Sequence, residues 1–136
     1  MTALVASRNT PARDGEVFGL PVKAATTVYQ GSLVVLNAGY AAPGTAATGL
    51  IAVGRAEETA TAVSAGDALV RVCRGVFKFG NSAAGDLIAQ ADVGADCYIV
   101  DDQTVAKTNG SSSRSRAGQI VAVDSDGVWV QVGLGW

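Results

Sequence analysis

Short β-branched runs separated by turn residues fill the chain after residue 15. The pattern is clearest over residues 94–132, where runs at 97–100, 118–123 and 128–132 alternate with Asp-, Ser- and Gly-rich connections. In the last run Val128, Val130 and Val132 share one face, as in a half-buried strand. We therefore predict an all-β fold, a compact β-barrel or sandwich.

The same pattern sets the predicted elements. Strands are predicted over residues 17–22, 27–29, 33–36, 40–42, 50–56, 68–73, 76–79, 97–100, 118–123 and 128–132. Residues 57–62 are predicted to extend the strand before them, and Arg74-Gly75 to form a bulge or kink. Helix is expected only within residues 81–93, as at most one or two short turns, of which the favoured one lies near 90–93.

Alternation within each predicted strand indicates which side chains face the interior. The predicted core contains Val35, Ile51, Val53, Leu69, Phe77, Ile99, Val121, Val128 and Val130.

Residues 1–15 carry no hydrophobic period, so we predict an extended N-terminal arm followed by a single β-domain over residues 16–136. Within that domain a loose repeat is visible. Residues 31–36, 49–53 and 68–72 resemble residues 94–100, 118–123 and 128–132, in that order. Because the spacings differ, a structural duplication and a mere recurrence of hairpin patterns both remain open.

Composition favours a structural role over a chemical one. Hydrophobic residues make up 49% of the chain but aromatic residues only 6%, so the apolar content is mainly Ala and Val. Charged residues make up only 16%, which we interpret as a sign that part of the surface is covered in an assembly. The net charge of −2 gives no reason to expect nucleic acid, and Arg114 and Arg116 fit a solvated loop better than a phosphate site.

Catalysis, cofactor binding and metal binding are all predicted to be absent. The chain has no histidine, which removes the commonest general base and metal ligand. Glu57 and Glu58 are adjacent and would point to opposite faces of a strand. Asp101, Asp102, Asp124 and Asp126 sit where hairpin turns need them, with Gly127 expected at positive φ.

The chain shows neither a secretory leader nor an apolar run long enough to span a bilayer, so we expect a soluble protein made in the cytoplasm. Cys73 and Cys97 are expected to be reduced, buried thiols, with a disulfide as the less favoured alternative.

Several of these segments together resemble a known family. They are residues 92–94, 98–105, 117–121 and 127–132, with 30–34 and 65–77 fitting the same plan. Over residues 15–132 the chain resembles the small capsid decoration (cement) proteins of tailed bacteriophages and prophages.

That resemblance implies a β-barrel or β-tulip-like module on the exterior of a virion. It would bind the major capsid protein, stabilise its lattice and self-associate, most often as a homotrimer, with no nucleic acid or membrane partner. The alternative is a non-catalytic β-domain that binds carbohydrate or peptide, with Tyr40, Tyr98, Trp129 and Trp136 as stacking surfaces.

Overall fold

The computed structural model describes residues 2–13 and 15–136, and this part of the chain consists almost entirely of strands, turns and loops. The twelve strands are β1 (Val17–Pro21), β2 (Thr26–Val28), β3 (Leu33–Asn37), β4 (Tyr40–Pro43), β5 (Ile51–Ala56), β6 (Ala60–Ala62), β7 (Leu69–Cys73), β8 (Gly75–Phe79), β9 (Asp96–Ile99), β10 (Val105–Ala106), β11 (Arg116–Asp124) and β12 (Gly127–Val132). The predicted all-β class is confirmed.

Two five-stranded antiparallel sheets form the body. The first sheet has the order β4-β3-β5-β7-β1 and the second has the order β10-β9-β11-β12-β8. If the strands of each sheet are numbered from 1 to 5 along the chain, both orders become 3-2-4-5-1. We call β1–β7 the first unit and β8–β12 the second unit. Because two sheets with the same strand order follow one another in one chain, the units are a structural repeat.

A glycine-containing bulge fixes the register of this repeat. The ladder between β3 and β5 skips Val53, and the ladder between β9 and β11 skips Ala117. In each case the next residue is a glycine, Gly54 or Gly118, whose added Cβ would lie 2.2 or 2.1 Å from a backbone oxygen of the neighbouring strand. Gly54 and Gly118 are therefore equivalent, and so are their partners Val34 and Cys97. The sequence comparison placed residues 31–36 in the correct register, but it aligned Gly49 rather than Gly54 with Gly118.

Each sheet curls until its two outer strands approach one another. Val22, after β1, forms one isolated parallel bridge with Ala41, and Gly80, after β8, forms one with Thr104. A single bridge is not a ladder, so within the described residues neither sheet is a closed barrel. Of the predicted alternatives, a compact sandwich-like arrangement fits.

Two apolar cores result from the stacking of the units. One lies inside the first unit and includes Val34, Val53 and Val72. The larger one, which we call the shared core, lies between the units and takes residues such as Leu33 and Val130 from both sheets. Consecutive residues of β3 therefore enter different cores.

Three predicted core residues are wrong. Ile51, Leu69 and Val121 are 53%, 63% and 44% exposed. Leu69 shares the outer face of β7 with Arg71, while the bulge in β5 and a register shift between Ile120 and Ala122 in β11 change the alternation around the other two.

The other six predicted core residues contact the core, although one of them is only half-buried. Five of the predicted residues are fully buried: Val35, Val53, Ile99, Val128 and Val130. Phe77 is half-buried and packs against the shared core.

The connections mostly follow the sequence. The favoured turn near residues 90–93 is a 3₁₀ helix at Gln90–Asp92, preceded by another at Ala84–Asp86. The predicted extension over residues 57–62 is wrong, because β5 ends at Ala56 and β6 pairs with β2 in a separate two-stranded sheet. Residue 74 alone separates β7 from β8, at the predicted kink.

The N-terminal segment lies outside the sheets. Residues 2–13 are exposed and contain no strand or helix, while the predicted arm also includes Met1 and Asp14, which lie outside the described residues. Neither 3₁₀ helix has the length or hydropathy that crossing a membrane would require, and the described residues contain no other helix.

Candidate interaction surface

The acidic residues of the hairpin turns are engaged in the turns themselves. Asp101 accepts a hydrogen bond from the backbone N–H of Gln103 at 2.9 Å, which closes an Asx turn. The backbone carbonyl of Asp102 accepts from the N–H of Leu33 at 2.8 Å and joins this turn to the first unit. The predicted turn role of Asp101 is confirmed, whereas the carboxylate of Asp102, in the same turn, accepts a 3.4 Å hydrogen bond from the hydroxyl of Ser32.

Asp124 and Asp126 flank the turn of the β11–β12 hairpin, and their carboxylates bind side chains of neighbouring strands. Asp124 accepts a 2.7 Å hydrogen bond from Nε1 of Trp129, and Asp126 accepts one of 2.9 Å from Nζ of Lys78. The hydrogen bond from Lys78 lowers the pKa of Asp126. Gly127 does not have the predicted positive φ. An added Cβ there would lie 2.7 Å from Cγ of Lys78 and 2.8 Å from the backbone oxygen of Phe79, so close packing requires the glycine.

The adjacent carboxylates of Glu57 and Glu58 form separate ion pairs. Glu57 lies 2.9 Å from Arg55, and Glu58 lies 3.4 Å from Arg71. In the part of the chain that the structure describes, no three His, Cys, Asp or Glu residues are grouped so that they could hold a metal ion.

The two cysteines are free thiols with little nucleophilic character. Burial raises the pKa of Cys97 to about 12, and burial followed by the charge of Glu57 raises the pKa of Cys73. Cys97 is fully buried, as predicted, whereas Cys73 is only half-buried. Because the thiolate is the reactive form, neither residue resembles an activated nucleophile.

The arginines of the serine-rich loop are bound within the protein. Arg114 lies 3.3 Å from Asp86 and donates to the backbone oxygen of Thr108 at 3.0 Å. Arg116 lies 2.9 Å from Asp96. Since both cations are already paired, they do not form a converging phosphate site.

The four aromatic residues considered for carbohydrate stacking do not form one platform. Trp129 and Tyr98 share the outer face of the second sheet, but their positions differ by six residues along β11, or about 20 Å. Tyr40 lies at the β3–β4 hairpin, and the ring of Trp136 packs 4.5 Å from the guanidinium of Arg74.

A groove of about 400 Å³ lies on the outer side of β3 and β4. Val35, Ala42 and Leu50 supply its apolar lining, while Lys23 and Asp102 supply charge of both signs. An apolar lining with a few polar groups is the mixture typical of a binding groove for a small group of a partner.

One strip of the first sheet is uncovered and carries two apolar pairs, with Arg71 between them opposite Gly19. The second unit covers β3, β4 and β5 but leaves the outer face of β1 and β7 open. Leu69 is 63% exposed beside its cross-strand neighbour Pro21, and Val17 is 41% exposed beside half-buried Cys73. Sequence analysis missed this strip because it placed Leu69 in the core.

The uncovered strip adjoins the N-terminal arm, which enters β1 directly. Within the arm the side chain of Leu4 is 72% exposed and that of Val5 is fully exposed. Leu4 and Val5, the largest apolar side chains in the described part of the arm, therefore lack cover from the other described residues.

Comparisons of the chain with protein-family models, with curated proteins and with solved structures found no match. The functional conclusion therefore depends on the uncovered strip, the groove and the arm.

Proposed function

We propose that this chain is a structural virion protein, a capsid decoration (cement) protein of a tailed bacteriophage or prophage. It binds the outer surface of the capsid and stabilises the lattice of the major capsid protein. It acts without catalysis, cofactor or metal, and with neither nucleic acid nor membrane as a partner. Its location is the exterior of the virion, after synthesis in the host cytoplasm.

The observation that carries the proposal is the continuity of the arm with the uncovered strip. Leu4 and Val5 are exposed near one end of a segment that leads into β1, where Val17 is exposed, and Leu69 is exposed on the neighbouring strand β7. Apolar side chains cost free energy in water, about 25 cal/mol per Å² of apolar surface, and this cost is recovered when a partner covers them. A cement protein needs this combination, because it must bind a shell surface and reach a neighbour at once.

Self-association belongs to the same proposal, with the homotrimer as the expected form. The second unit already packs on the outer face of the first through small aliphatic residues, which shows how such a surface is covered in this fold. A stable interface between copies buries on the order of 1,200–2,000 Å² in total. The strip alone is smaller than this, so we expect the arm to contribute to the interface.

Co-sedimentation with purified expanded capsids of the source phage or prophage tests the proposal. The full chain should pellet with capsids and raise their resistance to heat. A chain lacking residues 2–14 should remain folded but bind more weakly. Failure of the full chain to bind any capsid surface would remove the decoration function.

A matched pair of arm variants separates apolar contact from mere length. Leu4→Ser combined with Val5→Ser removes the exposed apolar groups, whereas Thr10→Ala changes an exposed polar residue of the same arm. We expect only the double variant to weaken capsid binding. Equal binding by both would show that the arm is a passive tail.

The groove favours a peptide segment over a sugar as a second candidate ligand, because it offers an apolar lining with one charge of each sign. A β-domain that binds peptide on a virion or cell surface is therefore the alternative function. Binding to a glycan array, with no binding to capsids, would instead favour carbohydrate.

A further inference from the structure

The outer edge of β8 has free backbone groups. The N–H of Gly80 donates to Gln103, and the carbonyl of Gly80 accepts from Val105, so both groups of Gly80 point away from β12. Backbone groups alternate along an antiparallel strand, so those of Lys78 and Val76 also point to this outer edge. Residues 103–105 occupy this edge at Gly80, but among the described residues no strand pairs with it along Val76 and Lys78.

The side chain of Lys78 leaves this edge accessible. Its Nζ lies 2.9 Å from Asp126 and 5.7 Å from the ring centre of Trp129, on the outer face of the sheet. A lysine that extends outward along an edge would oppose strand pairing. Here the lysine is held across the sheet face.

The equivalent edge of β1 is less suited to accept a strand. Pro21 has no N–H to donate, and proline on an edge strand discourages pairing. The chain also enters β1 from the arm at Gly15, so its own backbone approaches this end of the edge.

The arm contains a tripeptide that already forms a strand elsewhere in the fold. Residues 3–5 read Ala-Leu-Val, as do residues 68–70. In β7 this tripeptide lies against β1, with Val70 opposite Leu20 and Leu69 opposite Pro21. The strand equivalent to β1 in the second unit is β8, and both contain Val-Phe near their start, at Val17 and Val76.

We propose that residues 3–5 of one copy add as a strand to the open edge of β8 in a second copy. The inference rests on the self-association included in the proposed function. Residues 6–15 can span about 33 Å when extended, enough to cross from one body to the next. Because donor and acceptor are different surfaces, the contact is heterologous, and the expected trimer is the ring that such a contact forms when its rotation closes.

Proline substitution at the edge tests the inference. Val76→Pro removes an outward N–H and leaves the ladder between β8 and β12 intact, whereas Val17→Pro makes the same change at the equivalent position of β1. We expect self-association, measured by analytical ultracentrifugation, to weaken by about tenfold for Val76→Pro and to be unchanged for Val17→Pro. Circular dichroism should show that both variants are folded. Equal association of the two folded variants would overturn the inference.

Disulfide trapping provides a test that does not depend on folding of the proline variants. One protein carries Val5→Cys and another carries Val76→Cys, both in a Cys73→Ser background, and they are mixed and mildly oxidised. A crosslinked pair should form, while Val5→Cys mixed with Val17→Cys in the same background should form much less. Absence of the first crosslink, or equal yields of both, would contradict the inference.

Capsid binding is measured separately. If the Val76→Pro protein is monomeric but still sediments with capsids, the edge contact is supported and decoration does not require it. If the full chain self-associates through this edge but binds no capsid, only the decoration function fails. A full chain that is monomeric at all concentrations and gives no crosslink overturns the edge contact.

Discussion

Alanine at Gly118 should be among the most damaging small substitutions in the body of the protein. Gly118 pairs with Cys97 of β9, and β12 lies on its other side. An added Cβ would lie 2.1 Å from the backbone oxygen of Gln131 and 3.0 Å from Cγ1 of Val130. The first contact is with backbone, so no rotation of a side chain can relieve it.

The expected loss in the free energy of unfolding follows from the groups that must move to make room for the added methyl group. Overpacking a well-packed interior by one carbon costs about 1–3 kcal/mol. Here β12 must also shift away from β11, which weakens ladder hydrogen bonds that contribute about 1 kcal/mol each. We therefore expect Gly118→Ala to lower the free energy of unfolding by about 3 kcal/mol, or the Tm by about 12 °C for a domain of this size.

Gly19→Ala is the matched control. It makes the same chemical change within a strand, but no atom lies within 4 Å of the added Cβ and Gly19 does not have a positive φ. The change should be neutral or stabilise the protein by up to about 1 kcal/mol, because alanine reduces the freedom of the unfolded chain. Urea unfolding followed by tryptophan fluorescence gives both values. A difference below about 1 kcal/mol between the two variants would refute the close approach at the bulge.

Four further predictions follow from individual residues. Phe77→Ala should lower the free energy of unfolding by about 2 kcal/mol, below the range for a fully buried phenylalanine, because Phe77 is half-buried and partly covered by Arg55 at 4.4 Å; a loss above about 4 kcal/mol in urea unfolding would contradict this. Calcium or EDTA should leave the Tm unchanged, since the acidic turn residues already have partners in the protein; a rise of several degrees with calcium would reveal a metal site. Ala38→Gly should raise stability by about 1 kcal/mol, because Ala38 has a φ of 50° in the β3–β4 turn; thermal unfolding measures this. Cys97 should resist alkylation at pH 8 until the protein unfolds, which mass spectrometry of the alkylated protein measures. Because burial raises the pKa of Cys97 in the folded protein to about 12, only the thiol of the unfolded chain ionises just above pH 9.0. The free energy of unfolding should therefore fall as the pH rises above 9.0, which urea unfolding at two pH values measures.

The sequence was most informative where strand patterns are local. Turn residues such as Asp101 and the glycine of the Ala38-Gly39 turn mark hairpins through their own backbone preferences, and these hairpins are present. Buried valines of β12 were also predictable, because one face of that strand is buried and the other is not.

Prediction failed where a distant part of the chain decides the environment. Leu69 is a large apolar residue of the kind that usually lies in a core, but among the described residues no strand covers the outer face of β7. In β3 the opposite happens: Leu33, Val34 and Val35 are all buried, because the second unit covers the face that would otherwise be exposed. Bulges add to the difficulty, since one extra residue reverses the inward and outward positions that follow it.

The interaction surface was harder to predict than the fold. Low charge indicated that some surface is covered, but it did not locate that surface. The open edge of β8 depends on which strand lies next to it, and this adjacency comes from the order of the whole sheet. The exposed arm could be predicted directly, because residues 1–15 carry no hydrophobic period.

Burial of β3 on both faces has a consequence for exchange of its backbone amides with solvent. Exposure of these amides requires the two units to separate and the inside of the first unit to open, so it approaches global unfolding in free energy. The two-residue strand β10, at the end of the second sheet, needs only local fraying. Hydrogen exchange should therefore be slowest for the amides of β3. Their exchange should report the joint unfolding of both units, even though only one residue of the chain connects the two units.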